Sequence, residues 1–264
     1  MRRRSDNLRN THSSRKMTAR GVKLVWCGAG AAGLAALGFA LLLTAPPHPG
    51  QAESSALQTD GWIRLVGDAG KVTPVRAGQS PMTELRDHRV TIDEDYGCPD
   101  CRAFTTTFMP SLMQAVGHGD VEVDVRPINW LGRTSPSDSY SARAANAAVC
   151  VARWAPASFV NVDRNLYEDQ PVEGGPGLSA SELASIAARS GATNPEVQSC
   201  IKSESLQSVV RHATSLATSS GSVVGTPTVV VDRKLVTDGH SYIDLQALTD
   251  RLRQWNAVRR QSRE

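Results

Sequence analysis

The residues HRVTIDED (88–95) lead directly into Tyr96-Gly97-Cys98-Pro99-Asp100-Cys101, and CRAFTTTFMPSLMQAV (101–116) follows. The first segment is β-branched and alternates along its length, the pattern of a strand. The last sets Phe104, Phe108, Leu112 and Val116 at helical spacing. A strand must therefore turn through a Cys-x-x-Cys pair straight into a helix, which puts Cys98 at the helix N-terminus. Unpaired N–H groups and the helix dipole favour a thiolate there, the nucleophilic form of cysteine. Pro99 suits the first turn, where its missing N–H is not needed. Cys101, one turn further in, is expected to be the more buried thiol and to resolve a mixed disulfide.

Two cysteines at this spacing could instead form half of a zinc site or a short structural staple. Zinc needs two further ligands, usually a second close pair. The other cysteines after the N-terminal segment, Cys150 and Cys200, stand far apart in sequence, and the histidines show no paired ligand spacing. The redox reading is therefore favoured, and no metal or cofactor is expected.

The chain begins with a basic leader. Residues 1–23 carry eight Lys and Arg against Asp6 alone, although the whole chain of 264 residues is only +3. The surplus belongs to the leader, so nothing points to nucleic acid as a partner. The next segment, Leu24 to Ala45, contains no charged residue and is long enough to span a bilayer, which takes about 20 apolar residues. Positive flanks stay inside, which predicts a single transmembrane helix, a cytoplasmic N-terminus and an extracytoplasmic main domain. A cleaved signal peptide ending near Gly50-Gln51-Ala52 is the alternative. Within the span, Gly28-Ala29-Gly30-Ala31-Ala32-Gly33 fits a phosphate-cradling pattern, but no strand precedes it and it sits inside an apolar run just after a basic flank.

Residues 46–61, rich in Pro, Ser, Gly and Gln, read as a linker. WIRLV (62–66), KVTPV (71–75) and VEVDVRPI (121–128) read as further strands. A long helical tract comes next: the Ala-rich 141–155 continuing through NVDRNLYED, then 178–191 with a Ser179/Glu182 capping box, then one or two helices over 194–221. SVVGTPTVVVD (222–232) reads as a strand, KLV as its partner, and 241–255 as a closing amphipathic helix.

DYGCPDCRAF after a strand, with VVGTPTVVVD downstream beyond a helical block, resembles the DsbA-like branch of the thioredoxin superfamily over residues 85–255. The resemblance implies an α/β thioredoxin fold spanning 62–264, with a helical insertion at about 138–221. It implies a cis-proline at Pro227 facing the cysteines, with Thr226 and Pro227 binding substrate peptide. The implied activity is thiol–disulfide exchange by Cys98 and Cys101 on exported cysteine-containing polypeptides, with reoxidation by a membrane partner of the DsbB or VKOR type. Oxidase is favoured over a membrane-tethered reductase, or over a non-catalytic binding module. Two departures stand out. Many relatives carry a buried Glu six positions before the first cysteine; here that position is Ile92. Glu94 and Asp95 could substitute, or could be solvated charges at a strand end. Asp100, between the cysteines, should raise the Cys98 pKa through its carboxylate and weaken the protein as an oxidant. Cys150 and Cys200, both in the helical block, are expected to form a structural disulfide in an oxidising compartment.

Overall fold

A computed structural model describes residues 55–76, 88–134, 140–239 and 248–255. The basic leader, the apolar span at 24–45 and residues 46–54 of the linker lie outside these residues. Among the described residues no helix is long and apolar enough to cross a membrane.

Among the described residues six strands form one mixed sheet in the order β2-β1-β4-β3-β5-β6. They are β1 (Ile63–Asp68), β2 (Lys71–Pro74), β3 (Arg89–Glu94), β4 (Glu122–Pro127), β5 (Thr228–Val231) and β6 (Lys234–Asp238). Only β3 and β4 run parallel, and α1 (Pro99–His118) makes the crossover between them. Every other pairing is antiparallel. Strand β3 is central: Ile92 lies opposite Val125 on one side and Val229 on the other. Strand β4 alternates Val123 and Val125 with Glu122, Asp124 and Arg126, yet all six of its residues are buried. The charged side chains are covered because each meets an opposite charge: Arg64 with Asp124 (2.7 Å), Arg89 with Glu122 (3.0 Å) and Arg126 with Asp93 (2.5 Å).

Between β4 and β5 the described residues form the α-helices α2 (Tyr140–Trp154), α3 (Phe159–Glu168), α4 (Ala180–Arg189), α5 (Pro195–Ser203) and α6 (Gln207–Ser219). Helix α2 is the axis of this block. Its alanines at 144, 145, 147, 148 and 152 are all buried, and their small side chains let α3–α6 pack closely around it. The buried Asn146 accepts the Leu206 N–H (3.0 Å) just before α6. The Ser179/Glu182 capping box is formed at the start of α4. A disulfide joins Cys150 of α2 to Cys200 of α5, with an S–S distance of 2.01 Å.

Two sequence expectations need correction. The NVDRNLYED segment (161–169) is helical up to Glu168 as part of α3, but it does not continue the Ala-rich helix. Pro156 opens a short 3-10 turn, Pro156–Ser158, and Ala155 before it leaves helical geometry at φ −143°, as a residue preceding proline tends to do. The 222–232 strand is shorter than expected, with only Thr228–Val231 in the sheet. The chain before it contains the cis Thr226–Pro227 bond, and at Gly225 an added Cβ would stand 2.7 Å from the Asp238 carbonyl. The turn into β6 is tight because Asp232 and Arg233 both adopt positive φ (48° and 67°).

The Cys150–Cys200 bridge closes a loop of 50 residues. In the chain-entropy model it should stabilise the fold by about 4 kcal/mol. The double variant Cys150→Ser/Cys200→Ser should lose roughly that amount in chemical denaturation, and a loss below about 1 kcal/mol would show that the helical block holds itself together without the bridge.

Candidate active site

The site is built on a turn of four residues. Strand β3 ends at Glu94, and Asp95 to Cys98 carry the chain into α1. The Cys98 N–H donates to the Asp95 carbonyl (3.0 Å), and the Gly97 N–H donates to Asp95 Oδ1 (2.7 Å). Asp95 Oδ2 accepts the Leu131 N–H (2.8 Å), and the Ser141 hydroxyl also bonds this carboxyl. Gly97 is required here, because an added Cβ would lie 2.5 Å from Ser141 Oγ. Burial pushes the Asp95 carboxyl above its ordinary pKa, and the Ser141 hydroxyl and backbone N–H donors oppose the shift.

Cys98 is the N-cap of α1, with φ −82° and ψ 121°, and Pro99 lies in the first turn. Both thiols are free and buried, Cys98 at 6% exposure and Cys101 at 1%. The Cys98 thiol donates to the Thr226 carbonyl (3.2 Å), which places the cis Thr226–Pro227 segment against the sulfur. The Asp95 backbone N–H donates to Cys101 Sγ (3.4 Å).

These surroundings separate the two thiols. A hydrogen bond from Cys101 is the largest influence on Cys98; burial opposes it, and the Thr226 side chain and the backbone N–H groups of Cys101 and Asp100 add to it. The result is a Cys98 pKa lowered to about 7. Cys101 is pushed well above its ordinary value, first by burial and then by the neighbouring Cys98 sulfur.

The Asp100 side chain is exposed to solvent, and its backbone N–H favours the Cys98 thiolate. Pro99 is likewise exposed.

Glu94 and Asp95 are not solvated strand-end charges: they are 1% and 0% exposed. Glu94 shares a fully buried cluster with Asp163 and Tyr167 of α3 and with Tyr96. The Tyr96 hydroxyl donates to Asp163 (2.7 Å), and the Tyr96 and Tyr167 rings stand 4.9 Å apart. Burial drives Glu94 well above its ordinary pKa, and the adjacent Asp163 reinforces the shift. Asp163 is also raised by burial, with hydrogen bonds from Glu94 and Tyr96 acting against it. Burial thus favours the protonated form at both carboxyls. Asp163 and Tyr167 also line a cavity of about 380 Å³ between α1 and α3.

The structure thus brings together Cys98, Cys101, Thr226, Pro227, Glu94 and Asp95. Cys150 and Cys200 form their own bridge within the helical block. Sequence reading missed Asp163, Tyr167, Ser141 and Gln170, all from the helical block. The Gln170 amide donates to the carbonyls of Tyr96 (2.8 Å) and Cys98 (2.9 Å). Nothing in local spacing marks these residues, since their partners lie between 44 and 74 positions away in the chain.

A thioredoxin family model matches residues 87–251. The chain belongs to the thioredoxin family. Among solved structures it is similar to DsbA from Mycobacterium tuberculosis in its oxidised form, at 28% identity and a TM-score of 0.57, over 73% of this chain and 91% of that one. It is similar to a disulfide-bond oxidoreductase (DsbG) of the same organism, in its reduced form, at 28% identity and a TM-score of 0.56, over 72% and 85%. BdbD from Bacillus subtilis shares the fold at 21% identity and a TM-score of 0.56, over 78% and 98%. No curated protein matches the chain. The structural neighbours are thus DsbA-type thiol–disulfide oxidoreductases, and the fold of this chain holds the Cys98/Cys101 pair at its strand–helix junction.

The lowered Cys98 pKa fixes a pH dependence. A cysteine depressed on folding stabilises the reduced protein fully above its unfolded value, near 9, and this contribution is lost as pH falls through about 7. Between pH 7 and pH 9 the reduced form should therefore gain stability relative to the oxidised form. Melting both forms across this range checks it, with thiolate absorbance titrating near pH 7 and vanishing in Cys98→Ser. A titration midpoint near 9 would contradict the assigned environment.

Proposed function

We propose that this protein is an extracytoplasmic thiol–disulfide oxidoreductase that introduces disulfides into exported cysteine-containing polypeptides. The observation that carries this reading is the asymmetry of the pair. Cys98 has a pKa of about 7 and lies against Thr226, while Cys101 is buried behind it with a strong hold on its proton. A sulfur with a low pKa is the better leaving group in exchange, so Cys98 is the sulfur that meets substrate and departs from it.

In the oxidised protein a substrate thiolate attacks Cys98 Sγ. The Cys98–Cys101 bond breaks, a mixed disulfide forms on Cys98, and the Cys101 sulfur takes the electron pair and then a proton. A second substrate thiolate attacks the substrate sulfur of that mixed disulfide and releases the Cys98 thiolate. The substrate gains a disulfide and the protein gains two electrons. Thr226 and Pro227 line the approach to Cys98 and would hold the substrate backbone as an added strand. Glu94 and Asp163, buried on the inner side of the turn, would buffer the proton that Cys101 takes up.

The reading extends to location. The uncharged run at 24–45 behind a basic leader would anchor the chain in the membrane with its N-terminus cytoplasmic. The Cys150–Cys200 bridge fits an oxidising compartment. Reoxidation would come from a membrane partner of the DsbB or VKOR type, taking two electrons from the reduced pair.

Mixing the oxidised protein with a reduced, unfolded polypeptide containing two cysteines tests the direction. One disulfide should form in the polypeptide for each pair reduced. Cys101→Ala, loaded as a mixed disulfide on Cys98, should pass it to the polypeptide and trap Cys98-linked adducts. Cys98→Ser should do neither. Transfer only in the opposite sense, from reduced protein to a disulfide substrate, would favour the reductase.

A further inference from the structure

The Asp95–Cys98 turn is held from two sides, and only one of them belongs to the strand–helix junction. Asp95 secures the N–H groups of the turn, as described above. Its carbonyls at Tyr96 and Cys98 are both taken by a single side chain, the amide of Gln170, at 2.8 and 2.9 Å. Gln170 stands just beyond the end of α3 in the helical block, and its own position is fixed. Its N–H donates to the Tyr167 carbonyl (3.2 Å), and the preceding Asp169 is ion-paired with Arg189 of α4. The Tyr167 side chain in turn packs on Tyr96.

We propose that Gln170 is a positioning residue for the redox pair: by binding the Tyr96 and Cys98 carbonyls together, it holds Cys98 in place against Thr226 and shields the Cys98 sulfur from its own carbonyl dipole. The Cys98 carbonyl has a second donor in the Arg102 N–H (3.2 Å), so losing Gln170 would not leave it bare. It would, however, free the Tyr96 carbonyl and release the turn from the helical block. The sulfur carries charge only in the reduced protein. A donor that draws negative potential away from the adjacent carbonyl therefore stabilises the reduced state more than the oxidised one. Stabilising the reduced state makes the disulfide a stronger oxidant. In this way the helical insertion sets the redox poise of a cysteine 72 positions away in sequence.

The inference rests on the proposed exchange chemistry at Cys98. It is tested by measuring the equilibrium constant with glutathione for wild type, Gln170→Met and Gln170→Glu. Methionine keeps the length of the side chain without its donors; glutamate replaces them with a charge facing the two carbonyls. The constant for oxidising glutathione should fall about threefold to tenfold in Gln170→Met, the size of one net hydrogen bond, and further in Gln170→Glu. The Cys98 titration should move upward in the same order, and the melting temperature of the reduced form should drop more than that of the oxidised form. An unchanged constant in Gln170→Met would overturn the proposal. So would equal destabilisation of both redox forms, or unfolding of both variants, because Gln170 would then be a structural prop. A wild-type protein with no Cys98-dependent equilibrium would instead overturn the exchange chemistry itself.

Discussion

The buried carboxylate of Asp95 is the interaction on which the site depends. It receives N–H groups from Gly97 and Leu131 and the hydroxyl of Ser141, so a single side chain joins the end of β3, the segment after β4 and the start of α2. A buried carboxylate is costly unless its oxygens are fully bonded. That cost makes the arrangement specific: any displacement of the turn would leave the charge without its donors. Cys98 and Cys101 inherit their positions from this anchor, one through the turn and the other through the Asp95 N–H.

The helical block is part of the site rather than a cover for it. Ser141 limits the turn to glycine at 97, Asp163 and Tyr167 complete the buried acid cluster, and Gln170 takes two of its carbonyls. The sheet supplies the strand–helix junction, and the block supplies most of the polar partners. The bridge between α2 and α5 and the alanine face of α2 keep that block rigid enough to place these groups.

The strand, the cysteine turn and the first helix were legible in the sequence because each is a local pattern: alternation, a proline at a helix start, apolar residues at helical spacing. The capping box at Ser179 was legible for the same reason. What escaped was decided by tertiary contact. Glu94 and Asp95 stayed open between substitutes for the missing buried Glu and solvated charges because nothing local reveals that α2 and α3 cover them. The proximity of Asp100 to Cys98 is visible in sequence, whereas the exposure of its side chain to solvent is not. The interruption at Pro156 was visible in principle, but the surrounding alanines read more strongly as helix. The end of the 222–232 segment followed from Gly225 packing against the Asp238 carbonyl, a contact between strands that only the assembled hairpin creates.

The most direct test of the central claim is the equilibrium reduction potential of the Cys98–Cys101 couple against glutathione, with Cys98→Ser as control. A thiol with a pKa of about 7 paired with a buried, proton-holding partner should give a value closer to the roughly −120 mV of strong disulfide donors than to the roughly −270 mV of thioredoxin. A value at the thioredoxin end would contradict disulfide donation, and the absence of any Cys98-dependent transition would contradict the redox assignment altogether.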